Sequence, residues 1–365
     1  TWLVALLVLA VGVHTVAFLG YWAGDNAIVL VRWYNQIIAD GFSRPIGNYS
    51  PPYLYLLGAL SALDGLMPDM ALIKALSVLG ATWVAFASYR LLKQVTAFPE
   101  LGLAVLLLPS VVMNASALGQ ADTFWVAPCI LALAAAIRRD HLWVAIWSGV
   151  AFAFKAQAIF FAPFVILLFW TRRVPAFLWA VPPAVYVLTC IPAWVAGWPA
   201  SDLATVYFRQ AQWQPEDYAF VSNSASWWTW FGLAAAGVAI RYFWLGFATA
   251  VLGTLAYLRF VAVDTDRHLM IAAVLSAAGL PFLLPGMHER FFILADVLAF
   301  LYAVAFPSRR SVLAAASMQV ASAFPVIVFA FKLEPAQAIA PAFAIVTMVL
   351  FLKELTQDEP APAKA

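Results

Sequence analysis

Charge is what this chain has least of. Asp, Glu, Lys and Arg together make up 10 % of it, against 65 % hydrophobic residues. A soluble domain carries roughly 25 % charged residues, so a soluble fold is excluded, and the mean hydropathy of +0.90 agrees. Neither sign dominates. The formal net charge is +2, too small to imply a nucleic-acid partner. Only two cysteines occur, Cys129 and Cys190. Each sits in an apolar run, where a thiol behaves as a small hydrophobe and says nothing about redox compartment. The apolar runs are continuous rather than alternating, which excludes a β-barrel. There is no Cys/His metal spacing, no Gly-rich phosphate loop and no Ser-His-Asp arrangement. Asp25 and Asp122 could share a metal, but nothing in the sequence demands one, so no cofactor is expected. The absence of an internal repeat counts against a transporter built from inverted halves.

What the chain does have is long apolar runs, such as Trp2–Leu19, Ala71–Tyr89 and Ala338–Leu352. A spanning helix needs about 20 such residues. The expected fold is therefore an all-α polytopic membrane protein, one membrane domain over residues 1–355 with a disordered tail at 356–365. Spans are expected at 2–19, 70–90, 99–114, 122–138, 142–154, 157–171, 175–195, 237–258, 267–284, 292–306, 311–329 and 338–352, about twelve in all. The first is longer than a signal-peptide core and has no basic stretch before it, so a retained helix is expected. Between the first two spans lies a long segment, 20–69. Within it Asn26–Asp40 reads as an amphipathic interfacial helix, and Tyr53–Leu63, too short to span comfortably, as a second interfacial or re-entrant one.

This count alternates the loops between two sides. The pairs Arg138-Arg139, Arg172-Arg173 and Arg309-Arg310 all fall in short loops on one of them. By the positive-inside rule that side is cytoplasmic, as are both termini. Segments 20–69, 114–122, 154–157, 196–236 and 285–291 then face the periplasm or its equivalent. All the polar clusters beside apolar runs lie in these segments.

A charge at a bilayer edge must be hydrated, paired or used. Asp25 follows the first helix directly. It can cap the helix that begins at Asn26, and it can also act as a general base on an acceptor hydroxyl. In Asn48-Tyr49-Ser50-Pro51-Pro52-Tyr53 the prolines suit a helix start, and Asn48 and Tyr49 are candidate ligand contacts. Gly119-Gln120-Ala121-Asp122 joins two spans. Asp122 there is either a helix cap or, with the amides of Gln120 and Asn114, a partner for sugar hydroxyls. Lys155 and Gln157 interrupt the apolar stretch Leu142–Trp170 at a tight reversal. A lysine buried there needs an anion, and a phosphate would serve. His288-Glu289-Arg290 follows Pro285-Gly286, where Arg290 and His288 can grip a phosphate while Glu289 balances charge. The outer segment 196–236 carries Trp198, Trp213, Trp227, Trp228 and Trp230, which interfacial solvation alone can explain.

These residues occur in a telling order: Asp after the first helix, Tyr-x-Pro-Pro, Gly-Gln-x-Asp, Phe-Lys-x-Gln with Pro163 six residues on, and His-Glu-Arg-Phe-Phe. Over residues 2–310 the set resembles the GT-C superfamily of polyprenyl-phosphate-sugar-dependent glycosyltransferases, above all bacterial relatives of the GPI mannosyltransferase II group. One departure is that Asn26, not a second carboxylate, follows Asp25. The resemblance implies a GT-C-type fold and an inverting hexosyltransferase in the plasma membrane. A sugar, with mannose suggested by the better-known members, would pass from a polyprenyl-phosphate donor to a hydroxyl of a glycan, glycolipid or protein of the cell envelope. It implies Asp25 as base, Lys155, His288 and Arg290 as phosphate ligands, and Gln120, Asp122, Gln157, Asn48 and Tyr49 as sugar or acceptor contacts. The competing expectation is a transporter or flippase of lipid-linked sugars. That function needs charge deep within several helices, where Asp296 is the main example here.

Overall fold

In lipid a continuous apolar run can satisfy its backbone only within itself, so it coils. The computed structural model describes residues 2–20, 25–212, 224–231, 236–331 and 339–356, without the side chains of 25–28, 211–212 and 236–243. Helix accounts for 81 % of the structure, and there is no strand among the described residues. Each of the twelve expected segments coincides with helical structure. Among the described residues, five helices are long and apolar enough to cross a membrane, or six if one bent pair counts as a single span. Several others, such as Thr123–Ile137 and His141–Phe154, are apolar but shorter than a full crossing.

The chain divides into two compact units, Thr1–Ala219 and Phe220–Ala365. The first contains α1 (Trp2–Gly20), α2 (Asp25–Asp40), α3 (Pro51–Ala59), α4 (Asp69–Leu92), α5 (Pro109–Val112), α6 (Thr123–Ile137), α7 (His141–Phe154), α8 (Ala162–Trp170), α9 (Val181–Val195) and α10 (Ala200–Gln212). Helix α1 presents apolar side chains outward on nearly every face and buries only Ala10 and His14. Helix α6 is the opposite: every residue from Thr123 to Ala136 is buried, so it forms the centre of this unit. Helices α2 and α3 pack into a core with α4 through Trp33, Tyr34, Tyr53, Leu72 and Ile73.

Two local features depart from the expected plan. The segment expected as one span over 99–114 is broken. A tight 3₁₀ coil, Pro99–Leu107, meets Pro109–Ala117 at a bend of 57°. Leu108 is extended, as the residue before a proline prefers to be. The second half ends in a π-turn, Met113–Ala117, where the backbone takes in an extra residue. His14 of α1 fastens to this break, its Nδ1 2.6 Å from Ser116 Oγ and its Nε2 2.9 Å from the carbonyl of Leu106. Secondly, the segment after α9 is not plain loop. It contains α10, whose polar face holds the Asp202–Arg209 ion pair at 2.6 Å and whose Leu203 and Val206 are buried.

The second unit contains α11 (Ala236–Phe260), α12 (Asp266–Leu283), α13 (Ile293–Ala305), α14 (Arg309–Phe331) and α15 (Ala340–Leu355). Helices α12 to α15 are tied at one end by one network. Arg267 donates to Tyr302 Oη at 2.9 Å and to Glu354 Oε2, while Ser308 Oγ donates to Glu354 Oε1 at 3.0 Å. The segment Ser224–Phe231 closes the far end of α12. Trp228 Nε1 donates to the carbonyl of Leu283 at 2.8 Å and Ser226 Oγ to that of Phe282 at 2.9 Å. These are carbonyls that a helix C-terminus leaves unpaired. Trp227 and Trp228 therefore have a capping role here.

Candidate functional site

The polar residues of the first unit converge on the start of α6. Asp122 precedes that helix but does not cap it: its backbone is already helical, and its side chain makes no capping bond. The carboxylate is fully buried instead, and the capping explanation for it fails. It accepts from Lys155 Nζ at 2.6 Å, from Asn114 Nδ2 at 3.0 Å and from Trp125 Nε1 at 3.0 Å. Lys155, 1 % exposed, thus finds its anion within the protein. No external phosphate is needed to account for its burial. Its position follows from the sequence break: α7 ends at Phe154, and Lys155 takes an extended backbone before the chain recoils.

Three elements support this pair. The π-turn at Met113–Ala117 turns Asn114 toward Asp122, and the amide N–H of Gln120 donates to the carbonyl of Asn114 at 2.9 Å. Gly119, at φ 61°, has the left-handed backbone that glycine tolerates best, and its Cα faces Lys74. The prolines Pro51 and Pro52 start α3 as expected, placing Tyr53 inside. The ring of Tyr49 lies 5.0 Å from Lys155 Nζ, within cation–π range, and 5.8 Å from the ring of Tyr53.

Four buried polar atoms of these segments have no hydrogen-bond partner: Tyr53 Oη, Asn114 Oδ1, Gln120 Nε2 and Gln157 Oε1, the last two lying two positions in the chain from Asp122 and Lys155 respectively. Burial, with Tyr49 and Asp122 nearby, pushes the Tyr53 phenol far above its ordinary pKa, so it stays a neutral donor. Buried polar atoms are nearly always paired. Unpaired buried donors and acceptors of this kind are suited to hydroxyl groups, which both donate and accept.

The remaining expected residues are placed as follows. Asp25 is the first residue of α2, with its side chain outside the described residues. Asn48 is half-buried and is not joined to the cluster. Ser50, not singled out from sequence, donates to the carbonyl of Ala153 and lies 2.9 Å from Tyr207 Oη of α10, tying α3 and α10 to the turn before Lys155. In the second unit Glu289 and Arg290 are buried and paired at 2.6 Å, with His288 Nδ1 3.8 Å from Glu289. Glu289 thus does balance Arg290, and His288 keeps its ring against Phe291 at 5.1 Å. Among the described residues no three His, Cys, Asp or Glu side chains gather into a set of metal ligands.

Trp125 and Tyr53 are the neighbours that sequence reasoning left out, whereas Asn114 was legible as one of two amides at the helix junction. The class of protein that the fold defines is an all-helical one with membrane-crossing helices and a buried polar centre. No family model and no curated protein matches the chain.

Proposed function

We propose that the chain is a GT-C-type glycosyltransferase with about twelve spans, both termini cytoplasmic and its site at the periplasmic face. On this reading it moves one sugar from a polyprenyl-phosphate donor to an acceptor hydroxyl, with inversion. The observation that carries the reading is the buried centre at Asp122. A sugar's hydroxyls can satisfy Tyr53 Oη, Asn114 Oδ1, Gln120 Nε2 and Gln157 Oε1, and the Asp122–Lys155 pair fixes the geometry of that frame.

The proposed chemistry assigns Asp25 the proton. Its carboxylate takes the hydrogen of the acceptor hydroxyl as that oxygen attacks the anomeric carbon from the side opposite the phosphate. The C–O bond to the phosphate breaks, and its electron pair leaves with the polyprenyl phosphate. Negative charge grows on the phosphate in the transition state, where fixed cations are worth most. His288 and Arg290 are the proposed groups for that work. Lys155 acts through Asp122 as a positioning residue.

Asp25→Asn tests the assignment. It should retain the fold and donor binding while losing transfer, whereas Arg290→Ala should weaken donor binding. Full transfer by Asp25→Asn would remove the base from the scheme, and unchanged donor affinity in Arg290→Ala would move the phosphate elsewhere.

A further inference from the structure

The first unit holds a second built feature at the opposite end of the helices that carry Asp122 and Lys155. Helix α6 runs from the ion pair to Ile137, and α7 runs back from His141 to Phe154 beside Lys155. At 1.5 Å per residue the far ends lie about 20 Å away. There a pocket of about 330 Å³ is lined by Arg139, His141 and Arg173, with Ala136, Leu168 and Val174 completing the wall. This volume is at the lower end for small-molecule sites, about 300–1,000 Å³. Asp140 lies between Arg139 and His141 in the chain but not in the wall.

The backbone presents these cations in an unusual way. Arg139 follows the end of α6 at φ 59°, and Arg172 follows the end of α8 at φ 57°, the only non-glycine residues with positive φ among those described. After α6 the amide N–H of Arg139 reaches Ala136 and that of Asp140 reaches Ala135, the two bonds of a helix stop that ordinarily uses glycine. An arginine at a glycine position is held there against backbone preference.

An apolar groove of about 400 Å³, walled by Ala151, Ile159, Val165 and Ile166 with Trp179 and Pro182, runs along α7 and α8 from the Lys155 side toward the pocket. Val165 of the groove and Leu168 of the pocket are three residues apart on α8, and so lie on one face of consecutive turns. Cations at a helix end beside an apolar channel along the same helix match a phosphate with a hydrocarbon chain attached. Basic pockets between spanning helices hold anionic headgroups in this manner.

We propose that this pocket and groove bind one anionic phospholipid, its phosphate held by Arg139, His141 and Arg173 and an acyl chain in the groove. The proposal is independent of the transfer reaction. The test is native mass spectrometry of the full chain in neutral detergent, titrated with phosphatidylglycerol, with phosphatidylcholine or with inorganic phosphate. The variant is Arg139→Gly with Arg173→Gln. Glycine suits the left-handed position, so the fold should persist, and an unchanged melting temperature confirms that. Phosphatidylglycerol should be retained over phosphatidylcholine. The double variant should lose roughly 10- to 30-fold in phosphatidylglycerol affinity, the effect of two cations at headgroup depth. Three results would each overturn the proposal: equal retention of both lipids, undiminished binding by the variant, or displacement of the lipid by inorganic phosphate.

Discussion

Asp122→Asn removes the anion at the centre of the first unit. The carboxylate is fully buried and accepts bonds from Lys155, Asn114 and Trp125. Asparagine keeps one acceptor oxygen and sets an amide donor in place of the other, against neighbours that are themselves donors. The ammonium of Lys155, 1 % exposed, is left without its counter-charge. Breaking a buried ion pair from one side costs about 3–5 kcal/mol. At about 2 °C per kcal/mol the melting temperature should fall by roughly 6–10 °C. Lys155→Met acts from the other side and should cost less, because the carboxylate keeps two neutral donors in Asn114 and Trp125. Asp122→Asn combined with Lys155→Met removes both charges and should be more stable than Asp122→Asn alone, since neutral replacements of buried pairs are often tolerated. Tryptophan fluorescence during thermal unfolding in detergent reads all three variants. Additive losses in the double variant, or an Asp122→Asn protein that melts like wild type, would refute the coupling.

Three further outcomes follow from other parts of the structure. Glu354→Gln should lower stability by roughly 2–4 kcal/mol, because it strips the charge that Arg267, Tyr302 and Ser308 share; hydrogen exchange should show α15 loosening first. Arg172→Gly should be neutral or stabilising by up to about 1 kcal/mol, since φ 57° suits glycine, as a thermal melt would show. Gly149→Ala would set a Cβ 2.9 Å from the Pro182 Cα and should cost about 1–3 kcal/mol by forcing α7 from α9; a melt unchanged from wild type would contradict that close approach.

The helices were legible because they are apolar runs ended by charge or proline, and local composition decides both. Helix α10 was missed for the converse reason: it is amphipathic and nearly neutral in hydrophobicity, so a search for apolar runs passes over it. The break at Leu108 was half visible in Pro109, but the π-turn behind it depends on how Ser116 meets His14, 102 positions earlier. The candidate site divides in the same way. Its residue types stood out as polar exceptions, whereas their pairing did not. Asp122 looks like a helix cap in sequence, because it stands one residue before α6. Only the fold shows that Lys155, 33 positions later, takes the carboxylate instead. Trp125 and Tyr53 were hidden because each is unremarkable until the chain closes around the ion pair.

The central claim is that this membrane protein makes a glycosidic bond. Purified in detergent, where movement between membrane faces cannot register, it would be given a radiolabelled sugar on polyprenyl phosphate together with a cell-envelope acceptor extract. The account predicts a labelled product of inverted anomeric configuration that disappears in Asp25→Asn. Labelled sugar left wholly on its carrier, by a protein that nonetheless moves the same lipid across vesicles, would contradict it.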